Sequence, residues 1–307
     1  MKYSVIPGTE MKISRICLGT MTFGSPVAEA DAIRLVHRAA DAYGINFIDT
    51  ANMYEGYNRC AGSAGGVAEE IVGKAAAGRR DRLILATKVG MKVGSAPEDE
   101  NTSPEAIRIQ LRRSLKRMNT DYVDLYYLHR YDPDTDPHDI ARAIGEELKA
   151  GTIRAWGVSN YTPAQLRALL DAAAEENIAA PAMCQPALSL LNTGALEEML
   201  PLCAEKHIGV IPYQILQGGM LTGKYRRGQE APMGSRLAEK PEWMKPFTDE
   251  TYAVIERTAG QAAQRGLTMT QYAIAWALEQ PAVVSALVGV KRESQIAEAA
   301  ATLSDPF

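Results

Sequence analysis

The chain carries three ionisable residues at the ends of apolar runs that have the character of buried strands. Asp49 closes "NFID", Lys88 closes "RLILATK" and His129 closes "YVDLYYLH". A charged side chain within buried chain needs a partner, and Asp49 and Lys88 can supply one another if their strands are neighbours. The spacing therefore predicts one polar cluster built from the ends of three strands.

Tyr54 follows Asp49 closely enough to join that cluster. A phenol with its ordinary pKa near ~10 donates a proton poorly at neutral pH, and a neighbouring ammonium is expected to lower this pKa. Asp49 would hold Lys88 charged and oriented, while His129 could hydrogen-bond an incoming carbonyl oxygen. Together they predict a general-acid site for an oxygen on which negative charge develops.

The elements that must position these residues repeat along the chain. Strand-like runs occur at 15–19, 46–49, 82–88, 122–129, 153–159, 182–185, 208–213 and 283–289. Amphipathic helical patterns lie between them, at 29–43 before Gly44, at 104–118 after Ser103, and from Thr162-Pro163 onward. This alternation predicts a single (β/α)₈ barrel domain over residues 1–307. A doubly wound sheet is disfavoured because no GxGxxG motif follows the first strand.

Two further features belong to the predicted barrel. The opening segment "YSVIPGTEMKIS", with Pro7-Gly8 at its turn, is predicted to form a β-hairpin that caps the bottom. Three loops, at 55–65, 91–102 and 226–248, are longer than the barrel requires. They are expected on the C-terminal face, where barrels bind their substrates.

Composition excludes several classes of function. The chain has 33 basic and 37 acidic residues and a formal charge of −4, with no long run of either sign, so neither a nucleic acid nor a membrane surface is an expected partner. It has no membrane-length apolar run and no signal-peptide core, so a cytoplasmic location is expected. The cysteines show no metal-binding spacing, so no metal site is predicted. The sequence does not set the oligomeric state.

Six segments together resemble the aldo-keto reductases, in the branch that includes bacterial enzymes and potassium-channel β subunits. They are "ICLGTMTFG", "GINFIDTANMY", "LILATKVG", "VDLYYLHR", "IRAWGVSN" and "IGVIPYQILQGGMLTGKY". The resemblance runs from about residue 3 to residue 302. It implies that Asp49, Tyr54, Lys88 and His129 form the catalytic tetrad, with Tyr54 as proton donor and NADPH as the source of hydride.

The resemblance also implies a set of cofactor-binding residues. Ser159, Asn160 and Gln185 would hold the nicotinamide carboxamide, Tyr213 would stack on its ring, and Leu216, Gly218, Leu221 and Lys224 would follow the pyrophosphate. The set of cofactor-binding residues also includes Thr20, Met21, Asp49, Gln214, Ile215 and Gly289. Gln214 and Ile215 replace a serine and a proline usual in the family. "GGMLTGKY" also fits GxxxxGK, but Tyr225 stands where a nucleoside triphosphate loop needs Ser or Thr.

Two cations, Lys291 and Arg292, stand where the final helix should begin, against the helix dipole. Unless Glu293 and Glu298 neutralise them, this arrangement favours binding of an anion. The resemblance implies that Lys291 meets the adenosine 2′-phosphate and that Gln295 and Glu298 contact the adenosine. NADP(H) is therefore the expected cofactor.

The expected function is NADPH-dependent reduction of an aldehyde or ketone, including a sugar or other polar carbonyl, with the carbonyl or alcohol as the small-molecule partner. The alternative is a cofactor-bound redox sensor or regulatory subunit with incidental turnover. Alcohol oxidation is open to the same residues, since the chemistry is reversible. An apolar substrate wall is expected from Met21, Phe23, Trp156, Met233, Trp243 and Met244. Tyr57, Asn58 and Arg59 could instead recognise hydroxyls or an anion.

Overall fold

The computed structural model describes residues 1–303, and it begins with the expected hairpin. Strand β1 (Tyr3–Val5) pairs antiparallel with β2 (Lys12–Ser14) across the turn that contains Pro7-Gly8. The carbonyl of Ser14 accepts a hydrogen bond from the Ser285 hydroxyl, and the Ser14 N–H donates to Oδ1 of Asn46. Asn46 directly precedes the second barrel strand. The hairpin therefore lies across the amino-terminal ends of the barrel strands and closes the bottom.

Eight parallel strands form the barrel. They are β3 (Ile16–Gly19), β4 (Phe47–Asp49), β5 (Ile84–Val89), β6 (Val123–Leu128), β7 (Ile153–Ser159), β8 (Met183–Gln185), β9 (Gly209–Val210) and β10 (Ala286–Gly289). Their spatial order is β10-β3-β4-β5-β6-β7-β8-β9. Val210 closes the ring, because its N–H donates to Ala282 at 2.8 Å and its carbonyl accepts from Val284 at 2.9 Å. The predicted (β/α)₈ barrel is confirmed.

Strand β9 is shorter than the apolar run at 208–213 that predicted it. Pro212 interrupts that run, and a proline has no N–H to contribute to a ladder. Strand β10 likewise begins at Ala286 rather than at Val283. The loops that follow both strands still lie at the rim formed by the carboxyl ends of the barrel strands.

Ten α-helices accompany these strands in the described range 1–303. They are α1 (Glu29–Tyr43), α2 (Val67–Ala76), α3 (Pro104–Met118), α4 (Pro137–Ala150), α5 (Pro163–Glu175), α6 (Met199–Glu205), α7 (Arg236–Glu239), α8 (Asp249–Gln264), α9 (Met269–Leu278) and α10 (Glu293–Ala301). Ser103 caps α3 by accepting from the N–H of Ala106, and Gly44 ends α1 with a φ of 67°. None of these helices is both long and apolar enough to cross a bilayer.

Alternating strand residues divide the core into two layers. Leu125, Tyr127 and Ala155 point into the barrel, where they pack with Ile6 and Ile13 of the hairpin. Their neighbours Tyr126 and Trp156 face the helices instead. The indole of Trp156 donates to the carbonyl of Ala179 at 2.7 Å, so the expectation that Trp156 walls the substrate pocket is wrong.

Candidate active site

A cavity of about 570 Å³ opens at the carboxyl ends of the barrel strands. Asp49, Tyr54 and His129 line it, while Lys88 is fully buried behind Asp49. The lining also includes most of the residues expected to bind a cofactor, namely Thr20, Met21, Ser159, Asn160, Gln185, Tyr213, Gln214, Ile215, Leu216, Gly218, Lys224, Gly289, Lys291 and Gln295. Two expected residues are not in the lining. Leu221 is buried in the core, and Glu298 accepts a hydrogen bond from the Thr268 hydroxyl at 2.7 Å.

Asp49 and Lys88 form an ion pair that is almost completely removed from solvent. The Lys88 ammonium donates to Oδ1 of Asp49 and, at 2.7 Å, to the carbonyl oxygen of Thr50. Gln185 donates from Nε2 to the remaining carboxylate oxygen at 3.0 Å. Strands β4 and β5 are paired, so the two charges compensate one another where neither could be hydrated.

The surroundings of Lys88 keep it protonated. Burial is the largest single influence and lowers the pKa of its ammonium. The negative charge of Asp49, the Tyr54 phenol and the hydrogen bond to Asp49 act in the opposite direction and together outweigh burial. The pKa of Lys88 therefore lies above its ordinary value of 10.5, and this buried group is a permanent cation at neutral pH.

Tyr54 places its ring beside that cation, with the Lys88 ammonium 4.9 Å from the ring centroid. The side chain is half-buried and faces the cavity. Burial raises the pKa of the phenol, Lys88 lowers it and Asp49 raises it again, so the net shift is upward from 10.0. The expected net lowering is wrong for this arrangement, because desolvation of a phenolate outweighs one ammonium that is already neutralised by a carboxylate.

His129 follows β6 and is held from its backbone. Its N–H donates to Val89 at 2.7 Å, and its carbonyl accepts from the Asn160 side chain at 2.8 Å. The imidazole lies edge-on to Tyr54, with ring centroids 6.0 Å apart. Burial, then the charges of Lys88 and Arg130, hold the pKa of His129 well below 6.5. The ring is therefore neutral, and its Nδ1 is buried without a hydrogen-bond partner among the described residues.

Hydrogen bonds connect the polar residues that end or follow β7, β8 and β9. Ser159 donates from its hydroxyl to the carbonyl of Gln185 at 2.9 Å, and the Tyr213 hydroxyl donates to Oδ1 of Asn160 at 2.7 Å. Asn160 adopts a φ of 59°, a left-handed conformation that is uncommon outside glycine and frequent at functional sites. These residues present both donors and acceptors to the cavity, as recognition of a carboxamide requires.

The segment after β9 curves around the cavity in left-handed backbone conformations. Gln214, one of the two departures from the family pattern, has a φ of 58°, while Ile215 is buried. Gly219 has a φ of 95°, and a Cβ there would lie 2.6 Å from the Lys224 ammonium nitrogen. The left-handed φ favours glycine at this position, and a Cβ there would also force the end of the Lys224 side chain to move.

Four cationic side chains converge at this end of the cavity: Lys224, Arg236, Lys291 and Arg292. Burial lowers the pKa of Lys224, and the charges of Lys291, Arg292 and Arg236 lower it further, while Glu239 opposes them. A group of cations that repel one another in this way is stabilised by a bound anion. The residues fit the phosphates of a dinucleotide.

Glu293 and Glu298 do not neutralise Lys291 and Arg292. Glu293 accepts from Arg38 at 2.8 Å, and Glu298 binds Thr268. The Lys291 ammonium instead pairs with Glu239 and donates to the carbonyl of Gly234 at 3.0 Å. The Lys291 backbone N–H donates to Gln295 at 2.7 Å, which fixes the start of α10.

The cavity lining also contains residues that the sequence did not single out, namely Met53, Met91, Arg236 and Glu239. Tyr57, which the sequence offered as a possible recognition residue, lines the cavity as well. Met53 and Met91 each come shortly after a barrel strand, so their positions could have been recognised. Arg236 and Glu239 lie on the short helix α7 within the loop at 226–248, where no strand end indicates their position.

Some of the other residues expected to wall the substrate pocket line the cavity, and others do not. Met21 and Met233 line the cavity, whereas Phe23 is buried in the core. Trp243 packs edge-on against Tyr57 at 5.3 Å between ring centroids. The guanidinium of Arg59 donates hydrogen bonds to the carbonyl of Ser63 at 3.2 Å and to the carbonyl of Lys92.

No cluster of three or more His, Cys, Asp or Glu side chains within residues 1–303 is arranged to hold a metal ion. The cavity brings the ion pair, the phenol and the imidazole together with the polar and cationic residues described above.

The chain is similar over nearly its whole length to several known proteins. The chain is 32% identical over 306 residues to a probable voltage-gated potassium channel subunit beta of Oryza sativa subsp. japonica, covering 97% of this chain and 90% of that one. It is 30% identical over 309 residues to the L-glyceraldehyde 3-phosphate reductase of Escherichia coli K12, covering 97% and 86%.

A solved structure, the glycerol dehydrogenase of Gluconobacter oxydans, superimposes with a TM-score of 0.81 at 29% identity, covering 98% of this chain and 90% of that one. The family model for the aldo/keto reductase family matches residues 15–307. The predicted resemblance is thereby confirmed, and the chain belongs to the aldo/keto reductase family.

Proposed function

We propose that this protein reduces an aldehyde or ketone to the alcohol with NADPH, and that Tyr54 donates the proton. The observation that carries the proposal is the position of the Tyr54 phenol. It opens onto the cavity beside the buried Asp49–Lys88 pair, and the same cavity is cationic where a dinucleotide's phosphates would lie.

Each side chain has a distinct task in this proposal. The nicotinamide, when bound, supplies hydride to the carbonyl carbon. Tyr54 gives its proton to the carbonyl oxygen as negative charge develops there. Lys88 stabilises the resulting phenolate, and Asp49 holds Lys88 in place. His129 is neutral, so it can orient the oxygen by a hydrogen bond without competing as an acid.

The other polar residues are proposed to hold the cofactor. Ser159, Asn160 and Gln185 would bind the carboxamide, and the half-buried ring of Tyr213 would support the nicotinamide face. The cluster of Lys224, Arg236, Lys291 and Arg292 favours NADPH over NADH, because the 2′-phosphate adds two negative charges at this end. Gly218 and its neighbours would follow the pyrophosphate.

The alternative is a cofactor-bound redox sensor with incidental turnover. It is supported by the similarity to the probable potassium channel subunit, which extends over 97% of this chain. The two functions differ in turnover: an enzyme oxidises NADPH repeatedly with a suitable carbonyl, whereas a sensor gives little more than a single turnover.

The test combines a mutation with two measurements on one preparation. Tyr54→Phe keeps the ring and removes the hydroxyl, so NADPH binding measured by fluorescence should be retained. Carbonyl-dependent NADPH oxidation should fall by about 10²-fold or more. Tyr131→Phe, in a half-buried ring outside the cavity lining, is the matched control and should behave as the parent. A Tyr54→Phe protein that binds NADPH and reduces carbonyls at the parent rate would overturn the proposal.

A further inference from the structure

Tyr57, in the long loop after β4, lines the cavity without a part in the proposed hydride or proton transfer. Its side chain is only 7% exposed, and its hydroxyl is buried without a hydrogen-bond partner among the described residues. Burying a hydroxyl that makes no hydrogen bond costs free energy of folding, so this hydroxyl calls for another explanation. A ligand bound in the cavity can supply the missing partner.

The backbone holds Tyr57 in place before any ligand binds. Its N–H donates to the carbonyl of Ser25, in the loop after β3, at 2.8 Å. Gly56 has a φ of 63°, and a Cβ there would lie 2.0 Å from the same carbonyl oxygen. Glu55 accepts from the N–H of Gly65 at 2.9 Å, which joins the two ends of the loop. A phenol held in this way loses little conformational entropy when it contacts a ligand.

Cationic side chains from two other segments lie against the Tyr57 ring. Lys291, which follows β10, places its ammonium 4.9 Å from the ring centroid, and Arg236 of α7 places its guanidinium 5.7 Å from it. Trp243 packs edge-on against the same ring. Cations held beside aromatic rings are partly removed from water, so they attract an anion more strongly than they would at an open surface.

The charges around Tyr57 favour an anionic ligand. The four cations that converge at this end of the cavity are opposed there by one carboxylate, that of Glu239. A phosphate group would compensate the excess positive charge. A neutral phenol suits the same phosphate, because it donates a hydrogen bond to a charged oxygen without adding charge of its own.

We propose that the Tyr57 hydroxyl donates a hydrogen bond to the 2′-phosphate of NADPH, beside Lys291 and Arg236. This rests on the proposed use of NADPH. The loop at 55–65 then contributes to the choice of cofactor, whereas the sequence had offered Tyr57 for recognition of a substrate. NADH lacks the 2′-phosphate, so it gains nothing from this hydroxyl.

The test replaces Tyr57 with Phe, which keeps the ring beside the cations and removes only the hydroxyl. Dissociation constants are measured by titration for NADPH, NADH and adenosine 2′,5′-bisphosphate. A hydrogen bond to a charged group typically contributes about tenfold or more in affinity, so the constants for NADPH and the bisphosphate should rise by that factor. The constant for NADH should change little. Tyr161→Phe is the matched control, since the Tyr161 hydroxyl is also buried without a described partner but lies outside the cavity lining.

The stability of the protein without cofactor gives a second measurement. Tyr57→Phe removes a buried hydroxyl that has no partner, so the free energy of unfolding in urea should be unchanged or slightly higher. Weaker NADPH binding with undiminished stability would show that the hydroxyl serves a ligand. A clear loss of stability would assign the hydroxyl to the fold and overturn the proposal.

A double-mutant cycle with Lys291→Met tests whether both side chains meet the same phosphate. Contacts to one group are coupled, so Tyr57→Phe should weaken NADPH binding less in the Lys291→Met protein than in the parent. Equal effects in the two proteins would place the hydroxyl on another part of the cofactor and overturn the assignment.

The outcomes separate this proposal from carbonyl reduction. Unchanged NADPH binding by Tyr57→Phe, or equal losses for NADPH and NADH, would overturn the role of Tyr57 and leave carbonyl reduction standing. A parent protein that binds NADPH but oxidises it with no carbonyl would overturn carbonyl reduction alone. Failure of the parent to bind NADPH would overturn both.

Discussion

Gln185 donates a hydrogen bond from Nε2 to Oδ2 of Asp49 across 3.0 Å, while Lys88 occupies the other carboxylate oxygen. One buried carboxylate thus connects a residue proposed to bind the nicotinamide with the cation proposed to assist proton transfer. Because both of its oxygens are engaged, Asp49 sets the positions of Gln185 and Lys88 relative to one another.

The carboxylate's charge can be removed with little change in shape by Asp49→Asn. Lys88 would lose its buried counter-charge and its pKa would fall, so it would stabilise the phenolate of Tyr54 less well. We expect kcat to fall by about 10²-fold or more, with a change in the NADPH dissociation constant of less than about tenfold. Asp139→Asn, on the surface of α4, is the control. A dominant effect on NADPH affinity would instead assign Asp49 to support of the nicotinamide pocket.

Cofactor preference should depend on Lys291. Its ammonium lies in the cationic cluster that is proposed to bind the 2′-phosphate, and it pairs with Glu239. A charge-assisted bond to phosphate is worth roughly 1.5–3 kcal/mol, so Lys291→Met should weaken NADPH binding about ten- to a hundredfold. NADH binding should change little. Fluorescence titration of both cofactors measures this, with the exposed Lys74→Met as control. Equal losses for both would give Lys291 a structural role.

The pH dependence of reduction follows from Tyr54 and His129. As the proposed proton donor, Tyr54 would act in its protonated form, and burial is the main cause that raises its pKa above 10.0. The alkaline loss of kcat/KM should therefore lie above about pH 10. His129, with its pKa lowered well below 6.5 by burial, should remain neutral and cause no loss near that pH. A pH profile of carbonyl reduction tests both statements. A loss of kcat/KM near pH 6.5 whose midpoint moves to higher pH in Arg130→Ala would show that His129 titrates there.

Stability should depend on a buried ion pair away from the site. Glu69 is fully buried on α2, and the Arg117 guanidinium donates to it at 2.6 Å from α3. Arg117→Ala leaves this carboxylate without its counter-charge, which typically costs about 3–5 kcal/mol of the free energy of unfolding. Arg108→Ala, which removes an exposed pair with Glu146, should leave it nearly unchanged. Urea denaturation of both variants decides whether the Glu69 pair supports the fold.

The sequence predicted the parts of the site that barrel strands position directly. Asp49 and Lys88 stand at or near strand ends, so the register of β4 and β5 determines their meeting. The prediction that Trp156 walls the substrate pocket is wrong, although the sequence contains the contrary signal. Trp156 lies three residues before Ser159, and side chains an odd number of residues apart on a strand point to opposite faces.

Other features depended on contacts that no local pattern records. The pairing of Lys291 with Glu239 joins residues from separate loops, and so does the packing of Tyr57 on Trp243. The pKa of Tyr54 could not be deduced from its neighbours' charges alone. The direction of the pKa shift depends on how completely the ring is removed from water, which only the assembled fold determines.

The cluster of cations in the cavity has a kinetic consequence. The whole chain carries a formal charge of −4, yet the part of the cavity that is proposed to bind the dinucleotide presents four cations around a single glutamate. A local field of this kind attracts an anionic dinucleotide from solution, and added salt screens the attraction. The rate at which cofactor associates should fall as ionic strength rises. Encounter with an uncharged aldehyde, which feels no such field, should proceed at nearly the same rate in dilute and concentrated salt.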